Sequence, residues 1–154
     1  MNKIYIIDDE PDIINSIMEN LKDPSFDFFP FTRAGDALKS WDKHKPDIIL
    51  LDLIMPGMSG FDFLQSLQPK HRQSQIIVIS GEKKIDSAVK AIKLGAADYI
   101  TKPFNFDHLK NTINQYTNIK NIQPLKDSDS KIIGQSPEIQ EVYDYINKLS
   151  RSYD

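Results

Sequence analysis

No cysteine occurs among the 154 residues, which excludes a disulfide framework and every thiolate metal site. Long apolar runs are missing too. None reaches the ~20 residues that a membrane helix requires, and acids interrupt the N-terminal "MNKIYIIDDE" too early for a secretory signal. Positive charge is not in excess: 19 lysines and arginines face 22 acids, for a formal net charge of −3. That balance carries no electrostatic footprint for nucleic acid, so this chain is not expected to bind it directly. Nor is there a G-x-x-x-x-G-K-S/T loop, which excludes ATP binding by that motif.

What remains is an ordinary globular composition, 40% hydrophobic and 27% charged. It is enough for one domain with an unstapled core, or one domain and an extra piece. A soluble cytoplasmic protein with no membrane partner is the expectation.

Strand-like and helix-like segments alternate along the chain. "KIYII" (3–7) precedes a helix carrying Ile13, Ile14, Ile17, Met18 and Leu21 at helical spacing, with Pro11 suited to its first turn. "FDFFPF" (26–31) reads as a strand that Pro30 confines to a sheet edge. Ala34, Ala37, Leu38 and Trp41 then share a helix face. "DIILL" (47–51) is apolar at consecutive positions, as a central parallel strand covered on both sides should be. A short helix capped by Ser59 leads to the strand "QIIVIS" (75–80). Ile85, Ala88, Val89 and Ile92 line a fourth helix that Gly95 should stop. "DYI" and a helix with Phe106, Leu109, Ile113 and Tyr116 on its buried stripe complete the series. Five βα units predict a doubly wound α/β sandwich, a five-stranded parallel sheet in the order 2-1-3-4-5 with helices on both faces. Ligands in such a fold bind beyond the C-terminal strand ends.

Those ends are where the acids fall. Asp52 follows the third strand amid Ile48, Ile49, Leu50, Leu51, Leu53, Ile54 and Met55, a setting in which an ionised carboxylate is expensive unless paired or at the core's mouth. Asp8 and Asp9 follow the first strand, Ser80 ends the fourth, and Lys102 follows the fifth. Singly, each is an ordinary loop or cap residue; together they converge on one rim. Two carboxylates roughly 5 Å apart repel by about 3 kcal/mol at an effective dielectric near 20. Lys102 alone cannot offset three of them. A hard dication can, and oxygen ligands are what Mg²⁺ prefers.

The segments "IYIIDDEPDI", "PDIILLDLIMPGMSGFDFL", "IIVISG" and "AVKAIKLGAADYITKPF" together resemble the receiver domain of bacterial two-component response regulators. The resemblance covers roughly residues 2–117 and implies a flavodoxin-like receiver fold over 1–117. It implies that Asp52 accepts a phosphoryl group from a phosphohistidine on a sensor histidine kinase. Asp9 would be a direct Mg²⁺ ligand, Asp8 would hold the ion through water, and the Ile54 backbone carbonyl would be a further ligand. Lys102 would contact the phosphoryl oxygens, with Pro103 after a cis peptide bond. Ser80 would be the switch hydroxyl and Tyr99 the aromatic that moves with it, acting on the face of the fourth helix, fifth strand and fifth helix. Glu82 is read as a solvated acid beside the site.

A polar stretch over 118–131 reads as a linker. Beyond it, "IIGQSPEIQEVYDYINKLS" resembles the opening of the AAA+ ATPase module in NtrC-type activators of sigma-54 RNA polymerase. Its apolar stripe would favour self-association, giving a homodimer or higher oligomer, or packing on the receiver. The resemblance implies a receiver and linker followed by the start of that module over 132–154, cut short before a downstream ATPase. The chain itself is then a phosphoacceptor rather than an enzyme. Three rivals are weighed. A haloacid dehalogenase phosphohydrolase would want D-x-D after the first strand, where "DDE" stands. A flavodoxin would want a Ser/Thr/Gly-rich loop there. A free-standing receiver acting by protein contact alone differs only beyond residue 154.

Overall fold

The computed structural model describes residues 1–119. The linker expected over 118–131, apart from Asn118 and Ile119, and the segment 132–154 lie outside the described residues. Five strands, β1 (Asn2–Ile7), β2 (Phe26–Phe31), β3 (Ile48–Leu51), β4 (Gln75–Ser80) and β5 (Asp98–Thr101), alternate with five helices. These are α1 (Pro11–Asn20), α2 (Ala34–His44), α3 (Gly60–Ser66), α4 (Ile85–Lys93) and α5 (Phe106–Ile119). All strand pairs are parallel and the order is β2-β1-β3-β4-β5.

The period of two along each central strand divides the core into two layers. Ile4 and Ile6 of β1, Ile48 and Leu50 of β3, and Ile77 and Ile79 of β4 pack with Ile14 and Ile17 of α1 and Leu109, Ile113 and Tyr116 of α5. The alternate residues, Tyr5, Ile7, Ile49, Leu51 and Val78, pack with Ala37 and Trp41 of α2, Phe63 and Leu64 of α3, and Ala88 and Val89 of α4. Both sides of β3 are therefore apolar, and all four of its residues are buried. Pro30 sits, exposed, on the edge strand β2, whose one neighbour is β1. Gly95 follows α4 with φ +114°, the backbone region that favours glycine.

Two apolar residues do not lie where their spacing puts them. Ile85, at the first turn of α4, is 44% exposed, and Ile54, just past β3, is 65% exposed. The buried stripe of α4 starts with Ala88 and Val89, one turn later than expected. A 3₁₀ turn over Pro69–Gln73, too short to give a periodic signal, leads into β4. There His71 is buried, and its ring lies edge-on to Trp41 at 4.8 Å. The Trp41 indole donates to Ser74 Oγ, which in turn donates to the Pro46 carbonyl. This cluster is at the N-terminal ends of the strands, opposite the rim that carries the acids.

Candidate functional site

Sheet register brings the acids together. Ile7 of β1 pairs with Leu51 of β3, so the next residues along each strand, Asp8 and Asp52, come side by side. The ladder continues one step beyond the strands. Asp8 N–H donates to the Phe31 carbonyl at 3.1 Å, Asp52 N–H to Ile7 at 2.9 Å and Lys102 N–H to Ser80 at 2.8 Å. Each charged residue thus has its main chain pinned to a neighbouring strand before any side-chain interaction is counted.

Carboxylate oxygens of Asp8, Asp9 and Asp52 lie within 4.8 Å of one another. Asp8 and Asp52 are buried and Asp9 half-buried, which sets the cluster apart from an exposed acidic loop. Lys102 Nζ is 2.9 Å from Asp8 Oδ2 and 3.7 Å from Asp52 Oδ2. Asp8 Oδ1 also accepts the Glu10 N–H at 2.9 Å. One ammonium therefore faces three acids.

The imbalance falls on Asp52. Burial, then the charge of Asp8 and more weakly that of Asp9, push its pKa up to about 6 against the opposing pull of Lys102 and an Ile54 backbone hydrogen bond. For Lys102 the largest influence is burial, which disfavours its charge. The hydrogen bond and charge of Asp8, with Asp52 and Glu10, outweigh it and hold the pKa above the usual lysine value. The donor set is all hard oxygen and short of positive charge, which fits a hard divalent cation. The Ile54 main chain lies against Asp52, while its side chain points to solvent. The Lys102–Pro103 peptide bond is cis.

Ser80 and Tyr99 stand beside the cluster, both buried. Ser80 Oγ accepts the Glu82 N–H at 3.0 Å, and the Tyr99 hydroxyl donates to the Glu82 carbonyl. Burial raises the Tyr99 pKa, with the charges of Glu82 and Asp52 adding to it, against a hydrogen bond with Ser80. Residue 82 is half-buried. It connects Ser80 to Tyr99 through its main chain, and side-chain identity gives no signal of such a link.

Gly60 is a second residue that sequence reading passes over. It opens α3 against the loop after β3, where its N–H donates to the Leu53 carbonyl. A Cβ there would collide with the Asp52 carbonyl oxygen and stand 2.6 Å from Leu53 Cα. Both are backbone atoms with no rotamer to yield, so only glycine lets α3 seat against the loop after β3. Ser59 caps α3 with a reciprocal pair: Ser59 Oγ accepts the Asp62 N–H, and Asp62 accepts the Ser59 N–H. Gly60→Ala is expected to destabilise the fold by about 1–3 kcal/mol. Chemical denaturation of the variant and the wild type measures the loss.

The DNA-binding transcriptional regulator NtrC of Proteus hauseri is 31% identical over 156 residues, covering 97% of this chain but 33% of the relative. The transcriptional regulatory protein KdpE of Mycobacterium tuberculosis is 33% identical over 135 residues, covering 84% of this chain and 59% of that one. This chain thus spans about a third of the length of the NtrC regulators it matches. The crystal structure of a response regulator receiver domain protein from Clostridium thermocellum superposes with a TM-score of 0.72 at 28% identity, over 79% of this chain and 98% of that one. Residues 4–114 match the response regulator receiver domain, and the chain belongs to that family.

Proposed function

We propose that this chain is the phosphoacceptor switch of a two-component response regulator, taking a phosphoryl group onto Asp52 from a phosphohistidine of a sensor histidine kinase in the cytoplasm. The observation that carries the reading is the rim itself: three carboxylates from two strand ends with oxygens within 4.8 Å of one another, and Lys102 from a third strand end, 2.9 Å from Asp8 and 3.7 Å from Asp52. Asp9 would bind Mg²⁺ directly, Asp8 through water, and Asp52 and the Ile54 carbonyl would complete the protein ligands. When bound, Mg²⁺ supplies the positive charge that phosphoryl transfer needs at the equatorial oxygens.

The chain's own groups do the rest. Asp52 is ionised at neutral pH and is the nucleophile. Lys102, held by Asp8, faces the incoming phosphoryl oxygens, where electrostatic stabilisation counts most. A side chain at Gly81 would meet open space, which leaves an unobstructed approach for the donor. A phosphoryl group brings close to two negative charges and new acceptor oxygens. Ser80 Oγ would leave the Glu82 N–H for one of those oxygens. The Tyr99–Glu82 link would then reset α4, β5 and α5 as the output surface.

We take residues 1–117 as the receiver, 118–131 as linker and 132–154 as the start of an NtrC-type ATPase segment in a regulator that acts as a homodimer or larger assembly. A second reading is a stand-alone receiver that signals by protein contact without an ATPase.

The direct test is phosphoryl labelling of Asp52. A metal test accompanies it: Mg²⁺ at ten times Kd should add about 1.4 kcal/mol of stability by mass action. Thermal melts in EDTA and in millimolar Mg²⁺ check this, and coincident melts would remove the metal from the reading.

A further inference from the structure

A groove of about 640 Å³ opens beside the acceptor site, between the loop that leads from β2 into α2 and the loop that leads from β3 into α3. Asp9 forms part of its wall, so whatever fills the groove lies against the carboxylate cluster. Thr32, Arg33, Asp36, Lys39 and Met58 are among the other residues that line it. The volume suits a small molecule rather than a protein segment.

Its charges are unequal in their commitments. Lys70, Lys102 and Lys110 each have a carboxylate partner. Arg33 and Lys39 form no ion pair among the described residues. Of the two acids in the wall, Asp36 lies in the first turn of α2, where it answers the helix dipole, and Asp9 belongs to the carboxylate cluster.

Resting on Asp52 as the acceptor, we infer that this groove binds the anionic tail of a small acyl phosphate, with Arg33 and Lys39 selecting donors that carry a second negative group. In the transfer, the P–O bond to the acyl oxygen breaks and a bond from an Asp52 carboxylate oxygen to phosphorus forms. The acyl carboxylate leaves with the electron pair. Arg33 and Lys39 touch only the non-reacting end, so they act on donor binding and not on the chemical step. Being solvent-exposed, they give a preference that weakens with ionic strength.

The test compares succinyl phosphate, which carries a distal carboxylate, with butyryl phosphate, which does not, by their labelling of Asp52 at low salt. The wild type should be half-saturated by succinyl phosphate at about a tenfold lower concentration, equivalent to about 1.4 kcal/mol. Arg33→Gln/Lys39→Gln should abolish that preference while the butyryl phosphate curve stays in place. Equal use of both donors by the wild type, or a preference that survives in the double variant, overturns the groove. Absence of label from either donor overturns Asp52 as acceptor instead. A measurement free of phosphoryl transfer runs alongside: succinate should shift the backbone amides of residues 33–36 in the wild type only, and no shift counts against the groove.

Discussion

Asp52→Asn should take up no phosphoryl group from acetyl phosphate and Mg²⁺, while the wild type should be labelled on that one residue. The amide has neither the charge nor the nucleophilic oxygen of a carboxylate. Its size is nearly unchanged, so the fold should be kept. The neighbouring acids do not substitute for it. Asp8 has one oxygen on Lys102 and the other on the Glu10 N–H, and Asp9 sits farther out on the rim. Lys102→Met should retain the acceptor but slow labelling by about 10²–10³, the usual loss when one preorganised charge-stabilising group is removed. Phosphate-affinity electrophoresis, followed by mapping of the labelled peptide, reads both effects. Equal labelling of wild type and Asp52→Asn would remove Asp52 from its role.

The same substitution should make the metal-free protein more stable at neutral pH. Asp52 in the fold titrates near 6, whereas in the unfolded chain it titrates near an ordinary aspartate value of about 3.9. Between those values the folded protein holds a proton that the unfolded chain has released. Stability from this group is therefore complete below about pH 4 and is lost as pH rises through about 6. Each pH unit between the two pKa values corresponds to about 1.4 kcal/mol. Screening at the open rim reduces the total to on the order of 2 kcal/mol.

Asp52→Asn does not suffer this loss. In EDTA its advantage over wild type should be small at pH 4 and grow to that order by pH 7, and Mg²⁺ should diminish it by favouring the ionised wild type. Urea denaturation across pH 4–7 with both proteins measures the difference directly, so that other titrating groups cancel. An advantage that is absent at pH 7, or that shrinks as pH rises, would contradict the burial and crowding of Asp52.

The architecture was legible because the central strands carry their apolar residues without interruption and the edge strand carries Pro30. Those two facts order the sheet, and the order alone brings Asp8, Asp9, Asp52 and Lys102 to one rim. Ser59 as a cap and Gly95 as a stop are equally local, and the structure has both. The residues that escaped notice act through the main chain or through empty space. Gly60 matters because a backbone oxygen of Asp52 occupies the place of its side chain. Glu82 connects Ser80 with Tyr99 by its amide and carbonyl. Ile54 and Ile85 lie outside the core for a related reason: hydrophobic character says nothing about whether a residue at or past the end of an element still has a neighbour to cover it. The groove beside Asp9 depends on how two loops from separate strands face each other, which no single stretch of sequence encodes.

Trp41, the one tryptophan in the chain, packs on His71 at the end of the sheet away from the acids. Its emission should follow global unfolding well and respond little to events at Asp52. Spectroscopic titration of the rim therefore calls for a reporter placed there. Exposed Ile54, next but one to Asp52, is the position where an introduced indole would sit close enough to be quenched without disturbing the core.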